Sequence, residues 1–255
     1  MKVFDININK KKFFVISCDV FYRAICYLCS QSPNITALHF IDKKTHDSPE
    51  LVKEKLKDLI KSIKKESFDA ILLAFGLCGN ATDGLIAGDV PIVIPRAHDC
   101  NSILLGDCEK YNDIITKTPG TLWASAGYLE TRNNQQDADN EDDLFMKNNI
   151  VEDYQALVDK YGEDNAKYVF ETLNKSLERY EQIVFINTDL TDTTQYINNI
   201  KEYADKKNYK FKLEPENLSL LSNLINGNWN DNDFLIVPSG AEIKASHCSK
   251  IFKIK

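Results

Sequence analysis

The sequence predicts an α/β fold of mostly parallel sheets flanked by helices, arranged as two Rossmann-like lobes. Three observations predict it. Short apolar runs alternate with amphipathic stretches in the first half, the alternation resumes towards the end, and the 255 residues are 43% hydrophobic and 27% charged. That composition is ordinary for a globular chain with a sizeable core. Strands separated by helices pair in parallel through right-handed crossovers.

Phe13–Ser17 reads as a first strand, Tyr22–Ser30 as a short helix and Thr36–Ile41 as a second strand. Ser48-Pro49-Glu50 then supplies a cap, a first-turn proline and an early acid, the signature of a helix start. Leu51, Val52, Leu56, Leu59, Ile60 and Ile63 follow on one face, at helical spacing. Residues 68–75 predict a strand, 80–87 a short helix and 91–94 a strand, with a further helix beginning near Asn101. Residues 137–143 hold five acids and one apolar residue, Ala138, which suits an exposed connector. A helical stretch over about 150–180, interrupted near Tyr161-Gly162, precedes strand 182–187, helix 193–207, strand 209–213, helix 217–226 and strand 234–237. The expected domains are therefore an N-terminal α/β lobe over 1–130, an acidic loop over 131–149 and a helix plus C-terminal α/β lobe over 150–255.

A formal net charge of -7 argues against a broad nucleic-acid surface, which needs clustered Lys and Arg. The lysines at 53, 55, 57, 61, 64 and 65 interleave with Glu54 and Asp58 and read as a solvated helix face. The first residues lack the apolar core of a signal peptide, and no run approaches a membrane span, so a cytoplasmic location is expected. Seven cysteines, an odd count, then read as ligands or core residues rather than a disulfide framework.

Three of them stand where a strand-like run gives way to a loop: Cys18, Cys78 and Cys100. In a parallel sheet such positions share one edge, the edge where open α/β folds place ligands. Glycines flanking Cys78 permit tight turns and the close approach of a ligand or cluster, which makes Gly79 and Asn80 candidate cofactor-binding positions. Amides opening the expected helix after Asn80 would lower the Cys78 pKa; the plainer reading is a turn with a buried thiol. The run Arg96-Ala97-His98-Asp99-Cys100 places cation, imidazole, carboxylate and thiol together. Arg96 suits a carboxylate or phosphate, or a structural ion pair. His98 suits a ligand or general acid, and Asp99 could orient it or cap the next helix. Cys26 and Cys29 form a C-x-x-C inside a helical apolar pattern and read as packing. Cys108, a conceivable fourth ligand, falls within the next helix, and Cys248 lies beside His247. Three thiolates suit zinc, with His98 or water completing the tetrahedron, or an iron–sulfur cluster with one iron left open.

The chain resembles domain-of-unknown-function family 1638 of bacteria and archaea, many of them anaerobes. The residues that carry this are Phe75-Gly76-Leu77-Cys78-Gly79-Asn80, Gly84-Leu85, Pro91 to Cys100 and Leu104-Leu105-Gly106, with weaker echoes at Cys18, His46, Pro49, Pro119-Gly120-Thr121, Trp123, Tyr161-Gly162, Leu220-Leu221, Gly227-Asn228-Trp229 and Asp233 to Pro238. The resemblance places Cys18, Cys78, His98, Asp99 and Cys100 at signature positions and brings no activity with it. It implies a setting near corrinoid-dependent methyltransferases, hence one-carbon metabolism.

The expected function is a metal- or iron–sulfur-binding enzyme or enzyme accessory acting on a small molecule, with Cys18, Cys78 and Cys100 as metal ligands and His98, Arg96 and Asp99 as catalytic groups. One alternative is a metal-free hydrolase or transferase with Cys78 or Cys100 as nucleophile and His98 as base. Another is a partner-binding or chaperone module for a methyltransferase, making contacts through aromatics such as Trp229 or Tyr128, both of which also suit a core.

Overall fold

The computed structural model describes residues 10–42, 49–131, 158, 162–163, 180–246 and 250–255. The chain divides into two compact units that are discontinuous in sequence. One holds the chain up to Tyr111, Thr188–Thr191 and everything from Pro215; the other holds Asn112–Asn187 and Asp192–Glu214. The division follows the sheets rather than a single cut at 131–149. The acidic connector, the 150–180 helix, His46, His247 and Cys248 fall outside the described residues, apart from isolated positions.

The first unit is built on a five-stranded sheet. Its strands are β1 (Lys12–Cys18), β2 (Ile35–Ile41), β3 (Ala70–Ala74), β4 (Ile92–Pro95) and a strand from the far end of the chain, Phe234–Val237. The helices α1 (Tyr22–Gln31) and α2 (Pro49–Ser62) follow β1 and β2. The spatial order is β2-β1-β3-β4 and then Phe234–Val237. The first four strands are parallel, and the last runs antiparallel to β4, with Ile92 opposite Val237 and Pro95 opposite Phe234. All five residues of β3 are buried, as expected for a parallel strand covered on both faces. The chain leaves β1 towards β2 on one side and returns to β3 on the other. Between β1 and β3 the order reverses, which is where sheets of this kind open a crevice at their carboxyl ends.

The N-terminal elements match the expected ones within a residue or two. Strand β3 is shorter than expected, and residues 80–87 are not a helix: turns cover 78–84 and Ile86 forms a bridge with Glu242. The reason is local. Cys78, Gly79 and Asn80 hold φ of 45°, 63° and 71°, left-handed values that cannot begin a right-handed helix.

Beyond β4 come α3 (Cys100–Leu105) and α4 (Cys108–Lys117), so Cys108 opens a separate helix rather than lying within one. Gly106, left-handed at φ 61°, ends α3, and Asp107 accepts from the Lys110 amide at 2.9 Å to start α4. The second unit carries β5 (Thr121–Ser125), α5 (Ala126–Glu130), β6 (Gln182–Asn187), α6 (Thr194–Lys207) and β7 (Lys210–Pro215, whose last residue belongs to the first unit). The sheet order is β5-β6-β7, with β5 and β6 parallel. Its core gathers Leu122, Ala124, Ile183, Phe185, Ile200, Tyr203 and Ala204. Returning to the first unit, α7 (Ser219–Asn226) buries Leu220, Leu221, Leu224 and Ile225, and the chain passes through β8 (Phe234–Val237) to the antiparallel pair β9 (Ile243–Ala245) and β10 (Phe252–Ile254). Trp229 packs here as well: its ring lies 5.4 Å from that of Phe13 and its indole N–H donates to the Leu224 carbonyl at 2.9 Å. Among the described residues no helix is long and apolar enough to cross a membrane.

Candidate functional site

The carboxyl edge of the five-stranded sheet assembles from three strand ends. Cys18 is the last residue of β1 and fully buried. Its backbone is extended, and the chain then turns through a short 3-10 segment, Asp19–Phe21. The Ser17 hydroxyl donates to the Cys18 carbonyl at 2.9 Å, and the Cys18 thiol lies 3.8 Å from Asp19 Oδ1.

The loops after β3 and β4 are zipped to each other backbone to backbone. The Leu77 amide donates to the Ala97 carbonyl at 2.9 Å, and the Cys78 amide to the His98 carbonyl at 3.0 Å. Gly76 permits this approach: a Cβ there would sit 2.7 Å from the Asp99 nitrogen and 2.9 Å from the Ala97 oxygen. At Gly76 the close approach is that of the neighbouring loop. The Thr82 hydroxyl, buried, donates to the Gly76 carbonyl at 3.1 Å and closes the turn from the other side. Cys78 follows in a left-handed conformation that costs a residue with a side chain about 1–2 kcal/mol. Gly79 and Asn80, the candidate cofactor positions, complete the left-handed run and are exposed. With no helix after Asn80, the helix-opening amides expected there are not formed.

Cys100 opens α3. Its neighbour Asp99 is the N-cap, and the capping is reciprocal: Asp99 Oδ1 accepts from the Ser102 amide at 2.9 Å while Ser102 Oγ accepts from the Asp99 amide at 3.2 Å. Of the two roles open to Asp99, the structure shows capping. Its other oxygen, Oδ2, accepts from the Tyr111 hydroxyl of α4.

The Cys100 thiol interacts with both Cys18 and Cys78, and these interactions, with burial, push its pKa well above the ordinary value. Cysteines separated by 60 and 22 residues along the chain are thus brought together, with Cys100 the member that interacts with each of the other two. The sulfur of Cys100 is enclosed, although the residue as a whole is half-buried. Tyr111 stands beside them. Burial, then the Asp99 carboxylate, then the Cys78 and Cys100 sulfurs hold its phenol well above the usual tyrosine range.

The remaining candidates are placed elsewhere. Arg96 turns away from the role of anion ligand: its Nε donates to the Asp231 and Phe234 carbonyls at 2.9 and 3.1 Å, and its Nη1 to those of Lys250 and Phe252 at 2.8 and 2.6 Å. A guanidinium with a fixed fork of donors suits this bundling of backbone, and it ties the C-terminal segment to the end of β4. His98 is exposed, and its imidazole makes no hydrogen bond with the described residues. The Cys108 thiol contacts the Arg96 carbonyl at 3.3 Å. Cys26 and Cys29 lie half-buried on α1; burial raises the Cys29 pKa, and its thiol bonds the Thr36 side chain. Tyr111 was not legible beforehand, because one tyrosine on an amphipathic helix reads as packing. Among the described residues no group of three or more His, Cys, Asp or Glu side chains is already set as a metal site.

With this geometry in view, comparison with known families is informative. The model of a protein of unknown function (DUF1638) matches residues 40–225, well over half of the chain. The chain belongs to this family. The match includes both zipped loops, Cys78 and Cys100, while Cys18 and the strands β8 to β10 lie outside it. No curated protein and no solved structure matches the chain significantly.

Proposed function

We propose that Cys18, Cys78 and Cys100 form a three-thiolate centre for zinc or an iron–sulfur cluster, and that the protein is an enzyme, or the accessory of one, acting on a small molecule. The observation that carries this is that Cys18, Cys78 and Cys100 are brought to the carboxyl edge of one sheet, where the Cys100 thiol interacts with both others. Soft sulfur donors select these metals, and ligands drawn from three separate loops leave a coordination position for substrate. When bound, such a group supplies Lewis-acid polarisation. The chain itself supplies the rest. The β3 and β4 loops hold Cys78 and Cys100 against each other, and β1 brings Cys18 from across the point where strand order reverses. His98, exposed and two residues before Cys100, is the candidate fourth ligand or proton donor. The anaerobic, corrinoid-linked one-carbon setting belongs to the same proposal and rests on the family resemblance.

The test is anaerobic purification of the full chain followed by metal and sulfide analysis. Near-stoichiometric zinc, or iron with sulfide, is expected, and it is lost in Cys18→Ser, Cys78→Ser and Cys100→Ser. Wild-type protein free of these metals ends the reading.

A further inference from the structure

Asp99 is a two-way clamp. One carboxylate oxygen holds the Ser102 amide at the start of α3, and the other holds the Tyr111 hydroxyl in the first turns of α4. Cys100 lies between these attachments as the first residue of α3. Removing the hydroxyl would leave α3 capped but would break this side-chain link between its first turn and α4. Tyr111 is 7% exposed, and its hydroxyl donates to the Asp99 carboxylate. Such charge-assisted bonds are about twice as strong as neutral ones. The Cys78 and Cys100 sulfurs also add, after burial and Asp99, to the upward shift of the Tyr111 phenol.

We infer that Tyr111 is a positioning residue for the thiol centre: through its hydrogen bond to Asp99 it fixes the start of α3 and with it the Cys100 sulfur. This rests on the three-thiolate reading above and assigns that centre its outer partner. Outer partners that orient metal ligands are worth about 10–100-fold in metal affinity, and Tyr111 holds Cys100 in this way through Asp99 rather than by touching the metal.

The experiment compares full-length wild type, Tyr111→Phe and Asp99→Asn in two measurements. The first is anaerobic titration with cobalt(II), whose thiolate absorption reports both affinity and coordination geometry. The second is the rate of iodoacetamide alkylation of Cys100, mapped by mass spectrometry with a chelator present. Tyr111→Phe keeps the ring and removes only the hydroxyl. It is expected to bind cobalt(II) about 10–100-fold more weakly with altered absorption bands, and to alkylate at Cys100 several-fold faster. Asparagine caps helices about as well as aspartate but lacks the charge, so Asp99→Asn is expected to move both readouts the same way and serves if the phenylalanine variant folds poorly. Cobalt affinity, bands and alkylation all within twofold of wild type in both variants overturn the inference, as does a lowered melting temperature with affinity and bands unchanged. If wild type takes up no cobalt(II), the three-thiolate reading fails by itself, and the alkylation rates alone decide the role of Tyr111: faster supports it, unchanged overturns it.

Discussion

Two groups of cysteines in the first unit show how little nearness along the chain says about chemistry. Cys26 and Cys29 are three residues apart on one face of α1, half-buried, with the Cys29 thiol bonded to Thr36. Cys18, Cys78 and Cys100 are remote in sequence, yet the Cys100 thiol interacts with both others at the carboxyl edge of the sheet. The first pair follows from helix geometry alone, in which any i, i+3 residues are neighbours. The second group depends on strand order: β1 and β3 must pair side by side, and the loops after β3 and β4 must run together. The chain also tolerates strain at the second group, holding Cys78 at φ 45°, and it tolerates none at the first. Backbone strain of this kind gathers where function over-determines the conformation.

The largest expected effect separates the groups by metal content. Cys100→Ser is expected to lose essentially all zinc or iron bound by anaerobically purified protein, whereas the double variant Cys26→Ser, Cys29→Ser keeps it. Equal losses in elemental analysis would erase the distinction. Next comes Gly76→Ala. A methyl group at this position meets backbone rather than a flexible side chain, so the zipped loops must part. A loss of about 2–3 kcal/mol in urea unfolding is expected, in the range of overpacking penalties, and a change below 0.5 kcal/mol (roughly the level of an innocuous surface change) would show that the two loops are not rigidly joined.

Alkaline pH gives a finer comparison. Cys100 has a pKa raised well above 9.0 and Cys29 one raised from the same value. Well below pH 9 both thiols are neutral, folded or unfolded, and stability is unaffected. As pH rises past the unfolded value the unfolded chain loses protons that the folded chain keeps, so stability falls until the folded pKa is passed. With chelator present, Cys100→Ser is expected to blunt the alkaline fall in melting temperature more than Cys29→Ser does; the reverse order would contradict the environments assigned to them. The smallest effect is expected for Asn80→Gly, which relieves a left-handed conformation at φ 71°. Asparagine tolerates this region better than most residues, so a gain of only a few tenths of a kcal/mol is expected (about the difference the αL preference leaves), with metal content unchanged. A loss of stability would mean the Asn80 side chain contributes more than its backbone costs.

Much of the scaffold was legible because its signals are short-ranged. The apolar runs ending at Cys18 and Cys78, the Pro49 helix start and the Asp99 cap lie within windows of a few residues, and all appear in the structure. The expected helix over 80–87 failed because three successive left-handed residues replace its first turn, and the glycine-bearing run gave no sign that Cys78 itself would be left-handed. Arg96 was legible as a cation needing partners. Its four carbonyl acceptors lie 135 to 156 residues away, beyond any local pattern. Tyr111 was illegible for the same reason: its contact with Asp99 needs α3 to end at Gly106 and α4 to fold back.

What the amino-acid sequence determined by itself is the alternation of strands and helices and the placing of three cysteines at strand ends, since periodicity and propensity act between near neighbours along the chain. Only the tertiary structure decided that β1 and β3 flank the point where strand order reverses, that β8 closes the sheet beside β4 and that Cys100 interacts with two cysteines distant in sequence. Those outcomes depend on which buried surfaces pair, and that is settled by the burial of the whole core at once rather than by any one segment.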